Sequence, residues 1–232
     1  MPLMQRPTIF LFDIDGTLVS TGGAGTRAMG WAFGHVHGRR DACDSFSLGG
    51  MTDRAIIRKA LLGIGAAVDD AQIDVVLATY LDRLHVEMAG AQDARVLAGV
   101  AGALDLVAAR PETAMGLGTG NVRRGAEVKL GAMGLMQRFA FGGFGCDAED
   151  RGELLAAGAR RGAQQLRRGL DACDVIVIGD TPKDVLAARA IGARCLAVAT
   201  GPFALEVLRA TDADWVVADL TDPLARDVLK GG

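Results

Sequence analysis

The sequence is short of several things, and each shortage narrows what it encodes. It has four cysteines, Cys43, Cys146, Cys173 and Cys195. None forms a C-x-x-C pair and the chain is neither small nor cysteine-dense, so a reduced, cytoplasmic setting is expected. No apolar run approaches the ~18 residues that a membrane helix needs. The apolar stretch near the N-terminus is cut at Asp13, too early for a signal peptide. Neither a membrane nor nucleic acid is expected as a partner, because the net charge is −3 and provides no basic field. Lysine is scarce: of 25 basic residues only Lys59, Lys129, Lys183 and Lys230 are Lys, and the rest are Arg. Internal repeats and low-complexity tails are also missing.

What is present starts at Thr8-Ile9-Phe10-Leu11-Phe12, which runs into Asp13-Ile14-Asp15-Gly16-Thr17. A short apolar run of β-formers reads as a buried parallel strand. Asp13 falls at its carboxyl end, where open α/β sheets place their ligands. The two-residue period of extended chain puts Asp13 and Asp15 on one side. Two like charges in a near-buried place need a cation or a shared proton.

Further strands are expected at 114–118, 139–141, 175–178, 195–199 and 215–217, separated by helices at 100–110, 123–133, 153–166, 185–190 and 204–209. This alternation predicts an α/β fold, a Rossmann-like core with a parallel sheet flanked by helices. Residues 20–92 break it, carrying only helical patterns at 26–33, 55–62 and 71–88. They read as an inserted all-helical domain, with 1–19 and 93–232 forming the core. Within the insert, Gly23 to Ala28 imitates a dinucleotide fingerprint but lacks a strand directly before it. His35 and His37 lie in a polar segment read as a surface turn, and His85 reads as a helix-surface residue, with no metal-ligand spacing at any of the three. Thr52 or Asp53 is a natural N-cap for the helix at 55–62.

Three strand ends bring polar groups that a parallel sheet would place side by side, about 5 Å apart. They are Asp13 and Asp15, then Thr119-Gly120-Asn121, then Asp180 and Asp184. The four aspartates form a hard, oxygen-rich set suited to Mg²⁺ as cofactor. Thr119 with the amides of Gly120 and Asn121, at a helix start, suits an anion. Metal, anion cradle and a spare carboxylate together suggest phosphoryl transfer through an aspartyl-phosphate.

The ordered segments D-I-D-G-T, G-T-G-N and G-D-T-P-K-D resemble the haloacid dehalogenase superfamily in its phosphatase branch, over nearly the whole chain. The helical insert resembles that family's cap of the first type. The stretch from Phe141 to Arg151 is similar to a subgroup of hydrolases related to phosphoglycolate phosphatases. The resemblance implies a Mg²⁺-dependent phosphatase for a small phosphorylated metabolite, a monomer or homodimer. It implies Asp13 as nucleophile and metal ligand, and Asp15 as acid and base, with its backbone carbonyl in the metal shell. It further implies Thr119 as phosphoryl ligand, and Asp180 and Asp184 at the metal. In similar proteins a glycine-rich cap loop closes over the core, which makes Gly50, Thr52 and Asp53 substrate-reading candidates beside Gly120 and Asn121. The family's third motif is usually Lys, and here no Lys lies between Lys129 and Lys183. Arg151 is the first choice for that charge and Arg161 the second. Lys129, about ten residues into its helix, is expected to lie too far away, and Lys183 to face solvent. A phosphomutase and a non-catalytic phosphate-binding protein are the competing readings.

Overall fold

The computed structural model describes residues 6–231; the first five residues and Gly232, assigned above to the core, lie outside it. The first strand, β1 (Thr8–Phe12), is buried along its whole length. Phe10 and Phe12 feed an apolar cluster on one face of the sheet, and Ile9 and Leu11 a second cluster on the other. Alternation of side chains across a strand makes an all-apolar run the natural occupant of a sheet covered on both sides.

After β1 the chain forms a two-residue strand β2 (Val19–Ser20), which pairs antiparallel with β3 (Arg95–Val96). Between them lie three helices, α1 (Ala24–His37), α2 (Asp53–Gly63) and α3 (Asp70–Ala89). They bury a cluster of their own, in which Phe33, Ile57, Leu61, Ile73 and Leu84 are sealed from solvent. The ribbon thus brings the two ends of the helical block together at one place. α1 is longer than its sequence pattern indicated. His35 stacks on Trp31 and His37 packs on Phe33 within its last turns, so both belong to a helix and not to a surface turn.

The remainder alternates: α4 (Val100–Ala109), β4 (Thr113–Thr119), α5 (Arg123–Ala132), β5 (Gly142–Phe144), α6 (Arg151–Leu166), β6 (Asp174–Gly179), α7 (Pro182–Ala190), β7 (Arg194–Val198), α8 (Leu205–Arg209), β8 (Trp215–Val217) and α9 (Pro223–Lys230). Six strands form one parallel sheet in the order β5-β4-β1-β6-β7-β8. The order reverses around β1, with β4 on one side and β6 on the other. Such a switch point opens a crevice beyond the carboxyl ends of the strands.

The strand expected at 139–141 is instead Gly142–Phe144. Phe139 and Phe141 are core side chains next to it, and glycine, normally a strand breaker, is required in it. A Cβ on Gly143 would collide with the Leu154 carbonyl of α6. Gly116 and Gly118 of β4 likewise leave room for the Phe141 ring and the Leu155 side chain. The glycines that weaken these strands by propensity are what allow close packing against them.

Candidate active site

Beyond the carboxyl ends of β1, β4 and β6, and beneath the helical block, lies a cavity of about 250 Å³. Asp13, Asp15, Asp180, Arg151 and Lys129 all line it. Each reaches it for a local reason. Asp13 follows the last buried residue of β1, and its Oδ1 accepts the Ile14 N–H at 2.8 Å. Gly16 then turns the chain at φ +78°, in the left-handed region that favours glycine. A side chain there, or at Gly201, would strike the Asp180 carboxylate. Asp180 follows β6, and its Oδ1 accepts the Thr17 hydroxyl at 3.2 Å.

Three of the four acids divide between two buried cations. Arg151, the first residue of α6, donates from Nη2 to Asp13 Oδ2 at 2.6 Å and from Nε to Asp184 Oδ1 at 2.8 Å. Asp184 is held from behind as well: its Oδ2 accepts from the backbone and hydroxyl of Thr181 in a capping box at the start of α7. Lys129 donates to Asp15 Oδ2 at 2.6 Å and to Asn121 Oδ1 at 2.7 Å. Asn121 Nδ2 in turn donates to Asp15 Oδ2 at 2.8 Å and to Thr119 Oγ1 at 2.9 Å.

Lys129 corrects the expectation that it lies out of reach. It sits six residues past the start of α5, about 9 Å along the axis at ~1.5 Å per residue. Long helical side chains lean towards the N-terminus, which brings the ammonium back to Asn121. No local pattern marks this, because Lys129 and Asp15 lie 114 residues apart. Arg161, the second choice above, instead grips Asp147 and the Gly142 carbonyl. Lys183 donates to the Gly49 carbonyl at 3.0 Å from an exposed position.

Other residues singled out in the sequence separate in the same way. Gly50, Asp53, Gly120 and Asn121 line the cavity. Thr52 does not: it is the N-cap of α2, accepting the Ala55 N–H, and donates to the Glu149 carbonyl. Thr119 is fully buried just behind the wall, with its Oγ1 accepting both the N–H and the side-chain amide of Asn121. Asp53 ties the helical block to the core. Its Oδ2 accepts the Val122 N–H at 2.8 Å, satisfying a donor at the start of α5, and its own N–H donates to the Gly120 carbonyl at 2.9 Å. The Glu149–Arg58 ion pair adds a second tie, at 2.8 Å.

Electrostatically the cavity is crowded with acid. Burial pushes the Asp180 carboxyl up, and the neighbouring Asp184 and Asp13 charges push it further. Burial also raises Asp13, against the opposing pull of Arg151. Burial lifts Asp53 to about 6, with Lys129 holding it back. Burial works against the charge of Lys129, but Asp15, Tyr80 and Asp53 outweigh it and keep the ammonium protonated. Asp13, Asp180 and Asp184 each offer an oxygen within 4.8 Å of the others. Three buried carboxylates facing one guanidinium leave surplus negative charge on a hard, all-oxygen donor set, which fits a divalent cation of the Mg²⁺ type. The Asp15 carboxylate, counted above with the metal ligands, stands apart from this set on Lys129 and Asn121.

Residues 7–192 match the family described as haloacid dehalogenase-like hydrolase. No curated protein matches the chain in sequence. Among solved structures, a hydrolase from Pseudomonas syringae is 21% identical, with a TM-score of 0.69 over 94% of this chain and 96% of that one. CbbY from Rhodobacter sphaeroides, in complex with phosphate, is 15% identical, with a TM-score of 0.70 over 94% of this chain and 96% of that one. A predicted phosphoglycolate phosphatase from Haemophilus somnus is 16% identical, with a TM-score of 0.66 over 98% of this chain and 99% of that one. At these identities the likeness is one of fold.

Proposed function

The chain belongs to the haloacid dehalogenase-like hydrolases, and on that premise we propose that it is a phosphatase that hydrolyses a small phosphate monoester through a phospho-aspartate on Asp13. The observation that carries this reading is the separation of Asp13 and Asp15 onto different cations at one cavity. Arg151 holds the first and Lys129 the second. Two carboxylates in different environments suit two different roles. The phosphate-bound CbbY structure and the phosphoglycolate phosphatase neighbour support the substrate class.

In the first step an Asp13 oxygen forms a bond to phosphorus while the bond to the leaving oxygen breaks. That oxygen takes the electron pair and receives a proton from the Asp15 carboxyl. In the second step the Asp15 carboxylate accepts a proton from water as the water oxygen attacks phosphorus. The Asp13–phosphorus bond breaks, releasing inorganic phosphate and restoring both acids. Thr119, fully buried behind the wall, fixes Asn121 by accepting its N–H and its side-chain amide. Arg151 presents positive charge beside Asp13, and Lys129 with Asn121 fixes the orientation of Asp15. Asp13, Asp180 and Asp184 would hold Mg²⁺, which when bound offsets the repulsion between the phosphate and the Asp13 carboxylate. The helical block, acting as a cap latched through Asp53 and Glu149, would exclude water from the first step.

The test is phosphate release from a panel of small monoesters, with and without Mg²⁺, by the wild type and Asp13→Asn. Release that requires Mg²⁺ and disappears in the variant is expected. A variant that keeps the wild-type rate overturns the mechanism, and phosphoryl transfer between sugar phosphates without net release identifies a mutase instead.

A further inference from the structure

We infer that the substrate is a monoester whose leaving group carries no negative charge, so that esters with a second anionic group, such as a carboxylate or another phosphate, are poor ligands. This rests on the phosphatase reading for its chemistry, but its argument is about the other end of the cavity. The Asp13 end receives the phosphoryl group. The remainder, under the helical block, is walled by Thr21, Thr26, Met29, Ile56, Tyr80 and Asp53. These offer hydroxyls, apolar surface and one carboxylate.

A second anion needs a cation with donors to spare. Among the described residues two cations line the cavity, Arg151 and Lys129, and both are committed. Arg151 donates through Nε and Nη2 to Asp13 and Asp184, which places its charge at the phosphoryl end and not beside the leaving group. Lys129 serves Asp15 and Asn121, and the Tyr80 hydroxyl interacts with the same ammonium. Lys183 does not line the space; its exposed ammonium donates to the Gly49 carbonyl. Against these two stand four lining carboxylates, Asp13, Asp15, Asp53 and Asp180. An anionic leaving group would therefore be desolvated beside Asp15 and Asp53 with no partner of its own, a costly arrangement. A hydroxyl-bearing group donates to the same carboxylates and accepts from the threonine and tyrosine hydroxyls. A cavity of about 250 Å³ holds roughly eight waters at ~30 Å³ each, room for a phosphate and a few carbons.

The experiment compares glycerol 3-phosphate with 2-phosphoglycolate in two measurements. One is kcat/KM for the wild type with Mg²⁺; the other is calorimetric Kd for Asp13→Asn, which keeps Asp15, Asp53 and Lys129 intact. Glycerol 3-phosphate is expected to lead by at least tenfold in both. Equal values, or an order reversed in favour of phosphoglycolate, overturn the inference. If the wild type releases phosphate from neither these esters nor the panel above while the binding order holds, the phosphatase reading falls and the inference stands as a ligand preference. If glycerol 3-phosphate does not bind, the inference falls. A second variant reads the cause. Thr26 is an exposed position on α1 at the cavity wall, and Thr26→Lys adds an uncommitted ammonium there. It should narrow the ratio at least threefold, and an unchanged ratio counts against charge as the basis of selection.

Discussion

Arg151 and Lys129 are both buried cations, at 8% and 4% exposure, each facing one acid of the same D-x-D stretch, yet they are supported differently. Around Arg151 everything comes from the sheet core: Asp13 follows β1, Asp184 begins α7, and the planar fork of the guanidinium binds both at once. The Lys129 half is assembled across two apolar clusters. Its hydrogen bonds run to core residues Asp15 and Asn121, but Tyr80 of the helical block interacts with it and Asp53 of α2 adds charge nearby. The Asp13 half is therefore complete within the core, whereas the Asp15 half depends on how the helical block is seated. On the proposed mechanism this suits the two roles: a nucleophile benefits from fixed geometry, and a proton-transfer group tolerates being completed by closure.

The sharpest way to break this comparison is Arg151→Ala. It leaves Asp13 and Asp184 buried without their cation, and loss of one partner from a buried pair costs about 3–5 kcal/mol. Denaturant unfolding should show most of that loss, and activity should fall with it; a variant as stable as the wild type would mean the core half is not held by this ion pair. Asp13→Asn keeps an acceptor for Arg151, so stability should change little, while the barrier to turnover rises by about 3 kcal/mol or more, over a hundredfold in rate.

Asp53 tests the other half through pH. Its carboxyl titrates near 6 in the folded chain, raised by burial from the ordinary 3.8, so the folded state binds the extra proton between those values. Stability from this residue is present below pH ~4 and declines as pH rises through 6, by up to about 3 kcal/mol. Asp53→Asn keeps an acceptor for the Val122 N–H but removes the slope, so its stability relative to the wild type should rise across that window. Parallel pH profiles of unfolding would refute the assignment. Lys129→Met should lower kcat about tenfold with little change in KM, as expected when a positioning contact to the proton-transfer group is lost. A KM effect alone would make Lys129 a substrate anchor instead. The smallest effect belongs to Arg161→Ala: its pair with Asp147 is partly exposed, at 37% and 20%, and such a pair is worth ~1 kcal/mol or less. An activity loss matching that of Arg151→Ala would remove the distinction between the two arginines.

The sequence by itself determined the sheet and the acids at its mouth. Thr8 to Phe12 is apolar on both faces, which only a doubly covered strand satisfies, and the acids follow at its carboxyl end. Thr119 and Asp180 end strands for the same reason, so their convergence was legible from the strand pattern. Arg151 was singled out through the resemblance to the family's third motif, two residues ahead of the helix expected at 153–166, and α6 in fact starts at Arg151. What only the tertiary structure decided was the pairing of charges. Lys129 reaches Asp15 because α5 starts where it does and its side chain leans back along the helix. Thr52 takes the N-cap already expected of it, whereas only the fold shows Thr119 facing Asn121 behind the cavity wall. The strand at Gly142–Phe144 forms where propensity argues against it, because Leu154 of α6 leaves no space for a side chain at Gly143. Periodicity is a property of neighbours along the chain and can be read from them. Ion pairs and close packing are set by distances of a few ångströms between residues far apart in the chain, 138 positions for Arg151 and Asp13, and those distances exist only once the helices have docked.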